Sequence, residues 1–246
     1  MKIKVFIFAF NRPDLLHYQI QCIKKFMKGD ISIQVIHDTK GNHSEIFDGI
    51  CAYNAIPLLH YTLKEKDKSP SYRHSSIVQH AYDTLMIPEC SEDYCLLLDH
   101  DMFLIEEFDL NEYMDGYDVA GCLQERDGVK YLWPGLTIFD MRKVKLIPFT
   151  MFPGLYENKL LDTGGGTYSL LKSKRVKYKD TEVEYPTEYN DVDLLNEDVF
   201  KGYNFELHLD RKFLHFRNAS CWHNDIVDDQ KKTQVLRDLL SDFIEV

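Results

Sequence analysis

The most restrictive feature of the sequence is the alternation of short apolar runs with amphipathic segments over the first hundred residues. Residues 2–10 are apolar on both faces after Lys4, which is typical of a strand buried inside a sheet. Residues 11–14 (NRPD) then offer a cap, a proline and an acid for a helix that extends to Met27. The pattern repeats, with strands predicted at 31–37, 57–61 and 94–98 and helices from Ser44 and over about 72–86. Such alternation predicts right-handed crossovers and a parallel sheet.

The second half of the chain is less regular. Strands are predicted at 118–122, 137–141 and 212–216, and helices at 164–171 and 228–243. The sequence contains no repeat, no low-complexity tract and no linker. We therefore expect an α/β protein with one mixed sheet flanked by helices, built as a single domain over residues 1–246.

Composition restricts the partners and the location. A net charge of −11 argues against nucleic acid, whose phosphates require clustered basic side chains. The longest apolar run near the N-terminus, Val5 to Phe10, predicts neither a membrane span nor a secretory signal. The six cysteines show no C-x-x-C spacing, and several lie in apolar runs. We expect reduced, buried thiols and a cytoplasmic protein.

The strongest motif is Asp99-His100-Asp101, which directly follows the predicted strand at 94–98. Two carboxylates one residue apart can share a hard divalent cation together with the phosphates or ribose of a nucleotide. In parallel sheets, ligands bind beyond the carboxyl ends of the strands. Asn11, Arg12 and Asp38 fall at such ends as well. The competing interpretation is a solvated acidic turn, but a buried strand leading into the triplet favours a binding site.

These residues give the chain a resemblance to the GT-A superfamily of glycosyltransferases. The likeness is carried by the D-x-D triplet about a hundred residues in, by residues 5–13 (VFIFAFNRP) and by residues 35–38 (VIHD), and it covers about the first 140 residues. It implies a GT-A fold and a metal-dependent enzyme of glycan or polysaccharide synthesis. Such an enzyme moves a sugar from a UDP- or GDP-linked donor to an acceptor hydroxyl. The cofactor would be Mn²⁺ or Mg²⁺, the cations suited to carboxylate, phosphate and imidazole ligands.

The resemblance also implies roles for individual residues. Residues 1–120 would form the nucleotide-binding half and residues 121–246 the acceptor-binding half. Metal ligands would be Asp99, Asp101 and a late histidine, His215, with His223 as the alternative. The expected contacts to the nucleotide-sugar are Phe10, Asn11, Arg12, Asp38, Arg73, Asp99, His100 and Asp101.

An inverting transferase also needs a general base for the acceptor hydroxyl. Asp162, which opens the segment 162–166 (DTGGG), is the first candidate, and Asp198 is the second. Gly164 and Gly165 would let the backbone approach the acceptor closely. Trp133 would stack on a sugar ring, although a buried tryptophan beside a turn is the simpler explanation. Asp162 has a competing explanation too, as the cap of the next helix. The base, and with it the inverting stereochemistry, stays open at this point.

Two other functions are compatible with parts of the pattern. A sugar nucleotidyltransferase also uses paired acids for Mg²⁺, but such enzymes usually carry a glycine-rich signature after the first strand, where this chain has Asn11-Arg12-Pro13. The other is a non-catalytic nucleotide- or carbohydrate-binding protein on the same scaffold. The absence of a P-loop motif and of G-x-S-x-G excludes P-loop kinases and serine hydrolases of that type.

Overall fold

A computed structural model gives the three-dimensional structure. It describes residues 1–64, 68–90, 93–186, 188–189, 192–193, 195–196, 202–203, 205–217, 219 and 226–245. The helices are α1 (Pro13–Phe26), α2 (Ser44–Tyr53), α3 (Pro70–Ala81), α4 (Ile87–Glu89), α5 (Leu110–Tyr113), α6 (Met141–Val144), α7 (Tyr168–Lys172) and α8 (Ile226–Leu240). A π-helical turn (Tyr82–Met86) joins α3 to α4, and a 3₁₀ turn (Gly165–Thr167) precedes α7.

The strands are short except in the central sheet. In chain order they are β1 (Ile3–Ala9), β2 (Met27–Lys28), β3 (Ile31–Asp38), β4 (Leu58–Tyr61), β5 (Tyr94–Asp99), β6 (Met102–Leu104), β7 (Phe108–Asp109), β8 (Val119–Arg126), β9 (Val129–Asp140), β10 (Gly154–Tyr156), β11 (Lys159–Leu161), β12 (Tyr178–Lys179), β13 (Glu188–Tyr189), β14 (Val192–Asp193), β15 (Leu195–Asn196), β16 (Gly202–Tyr203), β17 (Phe205–His208) and β18 (Phe213–Phe216).

Seven strands form the central sheet in the order β12-β8-β9-β5-β1-β3-β4. β4, β3, β1 and β5 are parallel to one another, and β9 is antiparallel to both of its neighbours, β5 and β8. A second sheet, in the order β17-β18-β6, begins directly after the D-x-D triplet. The predicted mixed sheet flanked by helices is therefore confirmed, and the carboxyl ends of the four parallel strands meet at one edge.

The central sheet is covered on both faces, which explains its apolar strands. In β1, Ile3, Val5 and Ile7 point to a core shared with α1, the second sheet and α8, whereas Phe6 and Phe8 point to a core shared with α3 and α6. All five are buried. Burial on both faces removes the need for a polar side and gives the continuous hydrophobic run seen in the sequence.

Several predicted boundaries differ from the observed ones. The helix predicted to begin near residue 72 begins at Pro70, because the Ser69 hydroxyl accepts a hydrogen bond from Tyr72 N and caps it. The helix that Ser44 was expected to cap has His43 at that position instead. The strand predicted at 137–141 is the last part of the twelve-residue β9.

Among the described residues, no helix combines the length and the apolar character needed to cross a membrane. The five cysteines in the described part of the chain are free, and four of them are buried. Burial raises the pKa of the Cys22 thiol to about 12, so this side chain is an inert part of the core.

Candidate active site

A cleft of about 510 Å³ opens at the carboxyl edge of the parallel strands. Its size is within the usual range for small-molecule sites. The predicted residues that line it are Phe10, Asp38, Asp99, His100, Asp101, Trp133, Asp162 and His215. The central sheet, the second sheet and the start of α3 all contribute walls, so side chains distant in sequence converge here.

Hydrogen bonds to backbone carbonyls hold the D-x-D turn in place. The Gln19 side-chain amide, buried on α1, donates to the carbonyls of Asp99 (2.7 Å) and Met102 (2.6 Å). Phe216 N donates to the Asp101 carbonyl at 2.9 Å, which ties the turn to β18. His100 points inward, 2% exposed, and its Nδ1 donates to the Phe8 carbonyl at 3.2 Å. The turn is held from both sides, and both acids of the triplet line the cleft.

Asp101 faces His215 across the junction of β6 and β18. The Nε2 atom of His215 lies 3.9 Å from Asp101 Oδ1, and both side chains are nearly buried. Two atoms that bind one cation through bonds of about 2.1 Å lie at most about 4.2 Å apart, so this spacing suits two ligands of one ion. Burial alone would lower the pKa of His215, but Glu206 and Asp101 outweigh it and raise the pKa above its usual value.

Glu206 lies behind His215. Its Oε2 accepts from His215 Nδ1 at 2.7 Å and from His208 Nε2 at 3.2 Å, and Arg217 Nε lies 3.2 Å from Oε1. Burial would raise the pKa of Glu206, but the hydrogen bonds from the two histidines hold it well below the usual value. Burial lowers the pKa of His208. Glu206 is therefore a carboxylate at neutral pH. Of the described residues, Glu206, His208 and His215 also form a set of three side chains close enough to bind a metal.

Asp99 makes a different contact. Its Oδ1 lies 2.7 Å from His74 Nε2, and both side chains are less than a fifth exposed. Burial by itself would lower the pKa of His74, but the Asp99 carboxylate, helped by other cleft carboxylates, raises it above the usual value. The two acids of the triplet thus have separate partners, His74 for Asp99 and His215 for Asp101.

Asp38 and Arg73 form a buried ion pair at the other end of the cleft. Arg73 Nη2 donates to Asp38 Oδ1, and the two side chains are 4% and 7% exposed. Asp38 Oδ1 also accepts from Lys40 N at 3.0 Å. Asp38 and Phe10 line the cleft, whereas Arg73 is not among the described lining residues. Arg73 therefore holds Asp38 from behind, whereas its neighbour His74 is among the α3 residues that line the cleft.

Asn11 and Arg12, predicted to bind the nucleotide, lie outside the described lining of the cleft. Asn11 adopts a left-handed conformation (φ 55°), and its Oδ1 accepts from Asn42 N at 2.9 Å. Arg12 is 6% exposed and pairs with Asp14 at 2.7 Å. It also donates to the Thr233 hydroxyl on α8 at 2.7 Å. These contacts give Arg12 a structural role that joins α1 to α8.

Asp162, directly after β11, and Trp133, in β9, also line the cleft. Burial would raise the pKa of Asp162, but hydrogen bonds from Ser71 and Thr163 N, with Arg126 3.2 Å away, leave it below the usual value. Asp162 is therefore ionised at neutral pH. The ring centre of Trp133 lies 5.1 Å from that of His215, so its indole forms a wall next to the D-x-D turn.

Gly164 and Gly165 lie in the segment after Asp162, and close contacts leave no room for a side chain at either position. Gly164 has φ +83°, and a Cβ there would lie 1.9 Å from the Leu132 carbonyl oxygen in β9. A Cβ on Gly165 would lie 2.6 Å from Leu161 Cβ. Neither glycine is among the described lining residues. They bring the segment against β9, and this contact positions Asp162 at the edge of the cleft.

We expect Gly164→Ala to destabilise the fold by about 3 kcal/mol or more, since it combines backbone strain with overlap against a strand carbonyl. Gly116→Ala is the matched control. Its φ is +78°, and nothing lies within 4 Å of the added Cβ, so only the strain of about 1–2 kcal/mol applies. Urea unfolding of both variants measures the difference. Equal losses of unfolding free energy in the two variants would show that contact with Leu132 is not what requires a glycine at position 164.

Three residues of the site were not predicted as functional candidates from the sequence: Gln19, His74 and Glu206. Gln19 carried a signal, as an amide in the apolar stripe of α1. His74 carried none beyond being next to Arg73. Glu206 and His208 alternate on one strand, which places them on one face, but the partner His215 follows only from the hairpin register. Two predicted candidates, Asp198 and His223, lie outside the described residues.

No protein-family model matches the sequence, and no curated protein matches it either. Among solved structures, the chain is similar to the mannosyltransferase PcManGT from Pyrobaculum calidifontis in complex with GDP-Man and Mn²⁺. The identity is 10% and the TM-score 0.45, over 72% of this chain and 53% of that one. It is also similar to S. aureus TarS 1-349, at 14% identity and a TM-score of 0.45, over 72% of this chain and 57% of that one. The same TarS segment in complex with UDP matches at 13% identity and an equal TM-score. The chain thus spans slightly more than half the length of these proteins.

Proposed function

We propose that the chain is a glycosyltransferase that depends on a divalent cation and transfers a sugar from a nucleotide diphosphate donor to an acceptor hydroxyl. One observation carries the proposal: Asp99, Asp101 and His215 converge in one cleft at the carboxyl edge of the sheet, with His215 Nε2 3.9 Å from Asp101 Oδ1. Carboxylate oxygens and an imidazole nitrogen suit Mn²⁺ or Mg²⁺. In this proposal Asp101 and His215 hold the cation.

The charge of the cleft explains why a cation is needed. Five acidic side chains line it: Asp38, Asp99, Asp101, Asp162 and Glu206. Such a surface repels a diphosphate unless a cation lies between them. When bound, the cation neutralises the charge that develops on the diphosphate as the sugar leaves. Asp99, paired with His74, orients the donor ribose or a water in the cation's shell.

The remaining residues place the two substrates. The nucleotide lies at the ends of β1 and β3, where Phe10 supplies an apolar face and Asp38 a fixed hydrogen-bond acceptor. The acceptor enters beside Trp133, whose flat ring suits the C–H face of a sugar. Asp162, ionised and at the same side, takes the proton of the acceptor hydroxyl as that oxygen attacks the anomeric carbon. Attack opposite the departing diphosphate inverts the anomeric configuration.

The test is release of the nucleotide from a panel of donors, as nucleoside diphosphate from UDP-, GDP- and dTDP-linked sugars and as CMP from CMP-linked sugars, with Mn²⁺, with Mg²⁺ and with EDTA. We expect one donor to be turned over only when a cation is present, with slow hydrolysis even in the absence of an acceptor. Pyrophosphate-dependent formation of a nucleoside triphosphate would indicate a nucleotidyltransferase instead. Donor binding without turnover in folded protein would indicate a binding scaffold.

A further inference from the structure

We infer that Glu206 is the positioning residue of the cation site, because its carboxylate fixes His215 in the one orientation and tautomer that present Nε2 to Asp101. The inference rests on the proposed function, since it concerns the histidine that holds the cation there. It adds a residue outside the D-x-D motif on which cation affinity depends.

The strand register brings the three side chains together. β17 and β18 are antiparallel, and Glu206 lies directly opposite His215. β18 also pairs with β6, where His215 lies opposite Met102, the residue after Asp101. Side chains directly opposite each other in an antiparallel pair lie on one face with Cβ atoms about 5 Å apart. Glu206 and His215 therefore share one face of the second sheet, and Asp101, in the turn just before β6, lies beside His215 with its Oδ1 3.9 Å from Nε2.

The hydrogen bond between Glu206 and His215 assigns the protons. A carboxylate only accepts, so the Nδ1 atom 2.7 Å from Glu206 Oε2 carries a proton. In the neutral imidazole, Nε2 then has the lone pair, and this is the atom 3.9 Å from Asp101 Oδ1. A histidine that donates its second N–H to a carboxylate is held in place and becomes a stronger cation ligand. Without Glu206 the ring can rotate or exchange tautomers.

The same hydrogen bond argues against a cation held by Glu206, His208 and His215 themselves. While His215 Nδ1 donates to Glu206 Oε2 over 2.7 Å, that nitrogen has no lone pair to offer a cation. The other carboxylate oxygen, Oε1, lies 3.2 Å from the Arg217 guanidinium, whose charge repels a cation. His208 and Arg217 instead hold Glu206 in place, with 13% of its side chain exposed.

The experiment measures Mn²⁺ binding directly, without turnover. Mn²⁺ is titrated in the presence of UDP or GDP and followed by electron paramagnetic resonance, and electron spin echo modulation detects a nitrogen bound to Mn²⁺. We expect a directly bound nitrogen in the wild type, which disappears in His215→Gln. Glu206→Leu should weaken Mn²⁺ binding about 10- to 100-fold and reduce the nitrogen signal. Glu206→Gln should lose less, because its amide oxygen still accepts from Nδ1. His208→Gln removes an imidazole but keeps an N–H that can donate to Glu206, so it should weaken Mn²⁺ binding far less than Glu206→Leu does.

Each other outcome overturns the inference. Unchanged Mn²⁺ affinity and nitrogen signal in Glu206→Leu would remove the positioning role and leave the proposed function intact. A loss in His208→Gln equal to that in Glu206→Leu would show that these residues bind the cation themselves. Mn²⁺ bound without nitrogen in the wild type would remove His215 as a ligand, and the donor panel then tests the function separately. Thermal unfolding of every variant separates lost binding from lost folding, and the isosteric Glu206→Gln keeps the test valid if Glu206→Leu does not fold.

Discussion

Asp101→Asn should reduce kcat/KM for the preferred donor about 1000-fold, which corresponds to about 4 kcal/mol of transition-state stabilisation. Asparagine keeps the size of the side chain and removes its negative charge. In the proposed function, that charge and His215 hold the cation next to the diphosphate. Asp101 is 4% exposed and its backbone is held by Phe216 N, so the substitution changes the electrostatics of the cleft and leaves the D-x-D turn in place. Steady-state kinetics with Mn²⁺ and the donor found in the panel measure the loss.

Asp127→Asn is the matched control for this variant. Asp127 lies between β8 and β9 with 72% of its side chain exposed, and its backbone is left-handed (φ 49°), a conformation that asparagine tolerates. The Asp127→Asn variant removes one negative charge outside the D-x-D turn. Its kcat/KM should equal that of the wild type within experimental error. If Asp101→Asn retains near wild-type turnover while remaining folded, the cation is not held by the triplet and the proposed site is wrong.

The part of the fold that local patterns encode was predictable from the sequence. The apolar run of β1 and the proline signal of α1 depend on neighbouring residues, and these elements, like α3, lie close to the predicted positions. β9 was predicted at less than half its length. It contains Pro134 and Gly135, which disfavour a strand locally, and this part is a strand because it pairs with β8 across a register shift.

The site divides in the same way. Asp38, Asp99 and Asp101 follow strands, so their presence at one edge of the sheet follows from parallel topology. The directions in which the side chains of Arg12 and Arg73 point do not follow from this topology. Arg73 and His74 are neighbours on α3, and the rotation of the helix alone decides that the arginine lies behind Asp38 while the histidine faces the cleft. Arg12 pairs with Asp14 and contacts α8, a helix more than two hundred residues later. Such contacts arise only when the chain is folded.

Arg73→Met should destabilise the protein by about 3–5 kcal/mol, because it leaves the Asp38 carboxylate buried without its counterion. Lys40 N remains as a hydrogen-bond donor to Asp38, but one neutral amide does not replace the guanidinium. The two side chains of the pair are only 4% (Arg73) and 7% (Asp38) exposed. Since Asp38 lines the cleft, its displacement should also weaken nucleotide binding in the folded fraction. Urea unfolding measures the stability, and calorimetric titration with UDP or GDP measures the affinity.

A double-mutant cycle separates this ion pair from simple loss of packing. Asp38→Asn removes the charge that Arg73→Met leaves unpaired, so the double variant should be more stable than the sum of the two single losses predicts. Lys28→Met, which breaks an exposed pair with Glu107 at 2.8 Å, provides the surface comparison and should cost less than about 1 kcal/mol. If Arg73→Met costs no more than Lys28→Met, the Asp38–Arg73 pair is effectively solvated. Asp38 is then not the fixed acceptor that the nucleotide end of the cleft requires.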